Sequence, residues 1–595
     1  MQFPYGLSDF ATLIQDGYFY QDRTDRIPLL EEAGRQLIFI RPRRFGKSLL
    51  LSMLEHYYDL NRANQFEALF GHLAIGKNPT PRHNHYFVMK WDFSLVKAQG
   101  DVKEIEAALH RHINDRIAKF QRYYAGHLSA PIAIHPDNAI SSLESTLTAI
   151  SETSCKLYLL IDEYDNFAND VLMAGRKQEY YEALLYGEGL LKTVFKAVKA
   201  AAGGLGLDRV FITGVSPVVL SDMTSGYNVG ENIYLDETFN DLCGFTEAEI
   251  AAVLTRMAVE GGSSWSPVDA LETMRTFYNG YCFSETGGER LYNPTLSLYF
   301  LKALWTKGRY PQEMLDENLA MDRGKLAYIA QLPHGEAVLI QALNGEEGVI
   351  IPRLARRFGV EDVLTAIKDQ PFMASLLYYF GILTFAGRGV LGKAILNIPN
   401  LVARSLYVER LRELWLPTFE DRDTIPRLAE TVYLQGDLAP LVDFIEQRYL
   451  PVLSNRDYRW TNELLVKIAF LTLLFDDRLY MMVSETEVDH GYIDLSLIVR
   501  SDMRRFQALD LLLEFKYLSL KDLGLTGEQV WKLSREALAA LPSVQTQLAE
   551  AAEQAQRYGA ALQSRYGLTD LRLFAVVGIG LERVVWRAVK PDALT

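Results

Sequence analysis

The stretch IRPRRFGKSLLLSML (residues 40–54) decides the fold of the first half of the chain. It completes the apolar run RQLIFI (35–40), which stops at Arg41-Pro42 as a buried strand does. It then leads into LLLSMLEHYYDL, whose length and apolar residues suit a helix. Strand, Gly46-Lys47-Ser48, helix is the context of a phosphate-binding loop of the pattern G-x-x-x-x-G-K-[ST]. In such a loop, main-chain N–H groups and the helix N-terminus cradle phosphates. Lys47 would offset β/γ charge and the Ser48 hydroxyl would hold Mg²⁺. Arg43, Arg44, Phe45 and Gly46 complete the expected nucleotide contacts. Arg41 stands where the pattern has its first glycine, so the loop must reach its geometry another way. Arg41, Arg43 and Arg44 are all candidates for phosphate contact. One of them acting on a neighbouring subunit's nucleotide would imply a homo-oligomer.

Outward from the loop, strands alternate with helices. YFVMKWDFS (86–94) reads as a strand, 101–124 as a long amphipathic helix, and KLYLLIDEYD (156–165) as a buried strand ending in acids. A helix of about 25 residues fits 176–202, and DRVFITGVSP (208–217) is a third strand closed by Gly and Pro. This alternation predicts an α/β fold, a parallel sheet with helices on both faces. Asp162 ends its strand where it can order Mg²⁺ with Ser48. Glu163 is placed to polarise an attacking water, and Thr213 to sense the γ-phosphate.

Beyond the loops GGSSWSP (261–267) and SETGGER (284–290), residues 302–445 read as mostly helical without a chemical motif. The last 150 residues change character. They read as a helix (460–475), two strand-like runs joined at Asp489-His490-Gly491, a strand (507–518), a helix (541–563) and a final strand at LRLFAVVGIGL. The predicted domains are 1–301, 302–445 and 446–595.

Composition narrows the class. At 595 residues, 49% hydrophobic and 23% charged, the chain is globular and long enough for two to four domains. No apolar run approaches the ~18 residues of a membrane span, and no signal peptide opens the chain. Cys155, Cys243 and Cys282 lie too far apart for a disulfide framework or a zinc knuckle. The expectation is a soluble, cytoplasmic protein without membrane association. The 61 Lys/Arg against 75 Asp/Glu give −14, which argues against a generally cationic nucleic-acid coat. Residues 446–595, however, hold 18 Lys/Arg and 20 Asp/Glu, so all but −2 of that charge sits on residues 1–445. Nucleic-acid contact therefore fits the last quarter better.

That quarter carries a second constellation. Asp494 lies in GYIDLSLIV after a hairpin turn, and Glu514-Phe515-Lys516 ends the apolar run ALDLLLEFK. Residues two apart in a strand share a face, so Glu514 and Lys516 project together. An aspartate and a glutamate on adjacent strands can bind Mg²⁺, and a lysine beside them can orient or deprotonate water. Glu463 on the preceding helix adds a carboxylate, and Gln554 and Tyr558 share a face of the following helix. Taken alone, E-x-K is as often a solvated strand end.

With these residues in view, the chain resembles bacterial proteins that pair an N-terminal AAA-ATPase-like domain with a C-terminal PD-(D/E)XK nuclease-superfamily domain. The carrying residues are IRPRRFGKSLLLSML, LYLLIDEYDNF (157–167), VFITGVSP (210–217) and FYNGYCF…LYNPTLSLYFL (277–301). At the C-terminus they are TNELLVKIAFLTLL (461–474), GYIDLSLIV, LLLEFKYL and LFAVVGIGL. In that family Arg in place of the first loop glycine is usual. The resemblance implies nuclease core roles for Asp494, Glu514 and Lys516, supported by Glu463, Gln554 and Tyr558. Upstream of the loop the family reads something like YVDKT, where this chain has Tyr20-Gln21-Asp22-Arg23-Thr24.

The expected function is an ATP-controlled, Mg²⁺-dependent nuclease cutting DNA, less readily RNA, in defence or mobile-element upkeep. One alternative is a nucleotide-driven switch or scaffold whose nuclease-like domain binds nucleic acid or a partner without cutting. Another is an ATP-independent nuclease with a structural loop. The pairs His83/His85 and His110/His112 read as ordinary surface or core histidines rather than zinc ligands, and the aromatic block 277–301 as packing.

Overall fold

The computed structural model describes residues 1–96, 102–166, 190–202, 204, 206–217, 230–261, 265–315, 323–332, 334–344, 348–356, 358, 369–416, 418–454, 462–483, 487–488 and 491–590. They form two units, one from 1–264, 279–308 and 350–396, the other from 265–278, 309–349 and 397–595. Residues 302–445, read from sequence as a helical middle, contribute to both.

In the first unit, Gln36–Ile40 (β1), Tyr86–Asp92 (β2), Lys156–Asp162 (β3), Leu207–Gly214 (β4) and the short Glu231–Asn232 (β5) pair in the order β2-β3-β4-β1-β5. Every pairing is parallel. Sheets covered on both faces need unbroken apolar strands rather than alternating ones, and Leu157–Ile161 are all buried. Its helices include Lys47–Tyr58 (α1), Val102–Tyr123 (α2), Ala139–Ser151 (α3) and Leu190–Ala202 (α4). The helix expected over 176–202 is described from Leu190 onward. Its earlier part lies outside the described residues. Because β4 sits between β1 and β3, the C-terminal ends of these three strands bring the phosphate loop, Thr213 and Asp162 to one edge, where parallel sheets bind ligands.

Arg41 answers how the loop manages without its first glycine. Its main chain still belongs to the sheet edge, donating to Gly214 O (3.2 Å). Its side chain is buried, and the terminal nitrogens donate to the carbonyls of Ile40 (2.9 Å), Tyr234 (2.8 Å), Phe239 (2.7 Å) and Asn240 (3.3 Å). The guanidinium lies 4.4 Å from the Phe39 ring centroid and 4.2 Å from that of Phe283. Burial pulls its pKa down to about 10. Arg41 is thus turned into the protein, which removes it from the candidate phosphate ligands. The left-handed turn falls instead on Arg44 (φ 66°) and Gly46 (φ 91°), with Thr295 Oγ1 donating to Arg44 O at 2.9 Å.

The middle of the chain is mainly helical, with helices at Arg323–Gln331, Gly335–Leu343 and Gln370–Tyr379. Val349–Ile351 (β6), Thr384–Arg388 (β7) and Ala394–Asn397 (β8) add a small sheet in the order β6-β8-β7. Strands of three to five residues leave too little periodicity to be read from sequence.

In the second unit a mixed sheet runs β15-β14-β13-β12-β9, where β9 is Tyr480–Val483, β12 Leu495–Val499, β13 Asp510–Leu518, β14 Leu571–Ile579 and β15 Arg583–Val589. Glu487–Val488 (β10) and Gly491–Tyr492 (β11) form the expected antiparallel hairpin, whose Asp489 and His490 lie outside the described residues. β13 and β14 are parallel, so a crossover must join them, and Pro542–Tyr566 supplies its long helix. With Asn462–Leu473 as α5, that helix is α6. Two glycines set the close approaches. A Cβ on Gly559 of α6 would meet Leu573 of β14 at 2.9 Å, and one on Gly578 of β14 would meet Val466 of α5 at 2.8 Å. β15 extends the sheet beyond the last strand expected from sequence, after a turn at Gly580 (φ 56°).

Arg41→Gly restores the motif glycine yet removes the donors for four carbonyls. It should lower stability by about 3 kcal/mol, read as a drop in the urea-unfolding midpoint. An unchanged midpoint would refute this role for Arg41.

Candidate functional site

At the edge of the first sheet, Ser48 Oγ donates to Asp162 Oδ2 (2.8 Å) and Thr213 Oγ1 donates to Asp162 Oδ1 (2.7 Å). The loop, acid and third-strand residues read from sequence therefore meet around one buried carboxylate. Lys47 curls back along its loop, with Nζ donating to the carbonyls of Arg41 and Pro42, both at 3.0 Å. Burial holds the Lys47 ammonium below its usual pKa, opposed by Glu163 and then Asp162. Burial likewise raises the Glu163 carboxyl, opposed by Lys47. Glu163 itself takes a left-handed backbone (φ 50°), a strained conformation typical of functional positions. Arg43 Nη2 donates to Asn166 Oδ1 (3.1 Å). Asp165, which the sequence reading passed over, accepts from Val215 N, Ser216 N and Ser216 Oγ, fixing the turn after β4.

A cavity of 270 Å³ opens beside these groups. Arg44, Gly46, Lys47, Ser48 and Glu163 form its polar end, and Phe19, Leu242, Phe245 and Leu298 are among its apolar walls. Tyr20, Gln21 and Arg23 of the divergent upstream segment line it too. Arg23 makes a paired bridge to Glu249 (2.6 and 2.8 Å) and donates to Asp241 O (2.8 Å) and Gly244 O (2.9 Å), tying this segment to the wall at 242–245. Phe45 was expected as a nucleotide contact. Its ring is almost fully buried, edge-on to Tyr281 (4.9 Å) and Phe283 (5.2 Å), so the aromatic block there serves packing.

In the second unit the antiparallel register sets Leu495 opposite Leu513, which places Asp494 beside Glu514. Asp494 N donates to Glu514 Oε1 (3.2 Å), and Phe515 N donates to Asp494 Oδ2 (2.8 Å). Both carboxyls are buried. Burial, and after it the neighbouring Asp494, pushes Glu514 far above the usual carboxylate range. Lys516, two residues along the same face, is half-buried, and its side chain makes no hydrogen bond or ion pair to another described residue. A lysine not anticipated from sequence completes the group. Lys467 of α5 is buried, with Nζ 3.3 Å from Asp494 Oδ1. Its signal was a single charge inside the apolar helix LLVKIAFLTLL, where an unpaired ammonium is costly.

The supporting residues lie on the two helices α5 and α6. Glu463 is half-buried one turn before Lys467, while Gln554 is half-buried and Tyr558 buried on α6. The Tyr558 hydroxyl accepts from Arg557 (3.0 Å), and neither Gln554 nor Tyr558 hydrogen-bonds Asp494 or Glu514. Among the described residues no three His, Cys, Asp or Glu groups come together in a metal-holding cluster. The pairs that do form are suited to Mg²⁺, which takes one or two carboxylates and keeps several waters. They are Ser48 with Asp162, and Asp494 with Glu514. His83 packs on Phe66 (4.6 Å), and His110 Nδ1 accepts from Ala139 N (3.1 Å), as ordinary structural histidines do.

Residues 4–224 match the family described as a predicted AAA-ATPase, and residues 461–587 match the PD-(D/E)XK nuclease superfamily. The chain therefore pairs an AAA-ATPase-like domain with a PD-(D/E)XK nuclease-superfamily domain. A protein named for the vnfD 5′ region of Azotobacter chroococcum mcd 1 is 27% identical over 305 residues, 50% of this chain. Those residues span about half of that relative, 52% of its length. Among solved structures, a Walker-type ATPase of Pyrococcus abyssi is 14% identical and is matched over 65% of this chain and 95% of its own (TM-score 0.39). The Aeropyrum pernix ORC1 protein in complex with DNA is 11% identical over 66% of this chain and 93% of its own (TM-score 0.26). No described helix is long and apolar enough to cross a membrane.

Because its folded-state pKa lies above the unfolded value of 4.5, Glu514 holds a proton that the unfolded chain releases. Its contribution to stability is present at low pH and lost as pH rises. In EDTA, the urea midpoint should fall between about pH 5 and about pH 9, with a shallower slope in Glu514→Gln. Equal slopes in the two proteins would refute this.

Proposed function

We propose that this chain is an ATP-controlled, divalent-metal-dependent nuclease that hydrolyses DNA phosphodiester bonds, in bacterial defence against foreign DNA or the upkeep of mobile elements. The observation that carries the reading is the buried pair Asp494–Glu514, with Lys516 on the same strand face, in a chain whose other unit has a cavity beside Lys47 and Ser48.

In the nucleotide site, Lys47 and the loop N–H groups bind phosphates, Asp162 and Ser48 would hold Mg²⁺, and Glu163 orients the attacking water. Thr213 keeps Asp162 in position. In the nuclease site, Asp494 and Glu514 would hold the metal. Bound there, it supplies a Lewis acid and a more acidic water. Lys516 would orient an attacking water toward the phosphorus, and its positive charge would offset charge developing on the phosphate oxygens. The Asp494 carboxylate is fixed for this work by the Phe515 N–H.

A second reading keeps the ATPase but makes the nuclease-like domain a binding module. The Lys467–Asp494 pair favours it, since an ammonium already neutralises one of the two carboxylates.

With Mg²⁺, wild-type protein should cut duplex DNA, and Asp494→Ala and Lys516→Ala should each lose at least about 100-fold in rate, measured on gels from initial velocities. Undiminished cutting by both variants would overturn the site. DNA binding without cutting under any divalent metal would favour the second reading.

A further inference from the structure

We propose that Lys467 is the resident counter-ion of the two-carboxylate site and occupies the position on Asp494 that a divalent cation must take. This rests on the reading of Asp494 and Glu514 as metal-holding residues.

Asp494 has two oxygens and both are engaged. Oδ2 accepts the Phe515 N–H (2.8 Å), whose main chain is fixed in β13 by its parallel pairing with Val576 of β14. Oδ1 faces the Lys467 ammonium at 3.3 Å. Only the second contact can be exchanged, because an ammonium on four rotatable bonds is displaceable and a strand N–H is not. The position of Lys467 is equally determined. Val466, the residue before it, fits against Gly578 of β14, where a side chain would clash at 2.8 Å. That fit presses α5 onto the sheet and directs Lys467 at the carboxylates.

The charges suit an exchange. Among the described residues, Lys467 from α5 and Lys516 from β13 bring positive charge to the pair. Of the two, Lys467 is buried (5% exposed) and paired, while Lys516 is half-buried. Taking away a buried ammonium leaves a buried carboxylate without compensation, a deficit that a divalent cation binding the same oxygen would fill. Lys467 therefore keeps the apo site neutral and well ordered, and weakens metal binding by competition. Lys516 remains available for the water.

The test uses the full-length protein and Ca²⁺, an oxygen-seeking probe ion, with binding read by calorimetry and stability by thermal unfolding. Lys467→Met keeps the length and removes the charge. Its melting temperature in EDTA should fall, Ca²⁺ should restore more of it than in wild type, and Ca²⁺ should bind at least about tenfold tighter. Lys467→Arg should bind Ca²⁺ as weakly as wild type, and Lys467→Met combined with Asp494→Asn should not bind it. If Lys467→Met fails to fold in EDTA, Lys467→Gln purified in Ca²⁺ provides the same comparison. Ca²⁺ binding that is equal or weaker in the neutral variants, with wild type binding normally, overturns the competition and leaves the nuclease reading standing. Binding by Lys467→Met but not by wild type supports it in its strongest form, a site closed by its own lysine. Absence of binding in every variant refutes both this inference and the metal-site reading beneath it.

Discussion

A guanidinium enclosed by main-chain carbonyls and two aromatic rings anchors the Gly46-Lys47-Ser48 edge of the first sheet. Arg41 joins the end of β1 to the segment 234–240 and to Phe283, three pieces far apart in sequence. An arginine can be buried only where its donors are matched, so these pieces must meet in one arrangement. The consequence for chemistry is a division of labour. Arg41 supports the loop, the left-handed residues Arg44 and Gly46 shape it, and Lys47 with Ser48 faces the pocket. Asp165 plays a comparable part under β4, where it fixes the turn that follows Thr213.

Much of this was legible because the signals were local. A strand ending at Arg41-Pro42, the Gly46-Lys47-Ser48 tripeptide and an apolar strand ending at Asp162 each lie within a few residues, and sheet order then brings them together. The direction of Arg41 was not legible, since its acceptors lie about 200 positions downstream. The pocket walls at Phe19 and Leu242–Phe245 were equally hidden, because apolar residues in loops have no period. Phe45 lines the cavity while its ring packs edge-on to Tyr281 and Phe283, partners that lie too far along the chain for spacing to show.

At the second site the strand period was enough to pair Glu514 with Lys516, and register set Asp494 beside them. Lys467 was visible only as an oddity, a charge in an apolar helix, because its partner is supplied by a strand 27 residues away. The supporting roles expected for Glu463, Gln554 and Tyr558 depend on helix rotation and rotamer, which spacing does not fix. Charge also reads differently by region. The net −14 sits mostly before residue 446, and in the near-balanced remainder Asp494 is matched by Lys467.

Under the proposed function, nucleotide at the first site governs chemistry at the second. Because coupling between binding sites is reciprocal in free energy, it is testable without knowing the biological target. The most direct measurement is the initial rate of Mg²⁺-dependent duplex cleavage with and without saturating ATP, in wild type and in Lys47→Ala. ATP should change the wild-type rate severalfold and leave Lys47→Ala unmoved. Cleavage at one common rate in all four conditions would contradict the account.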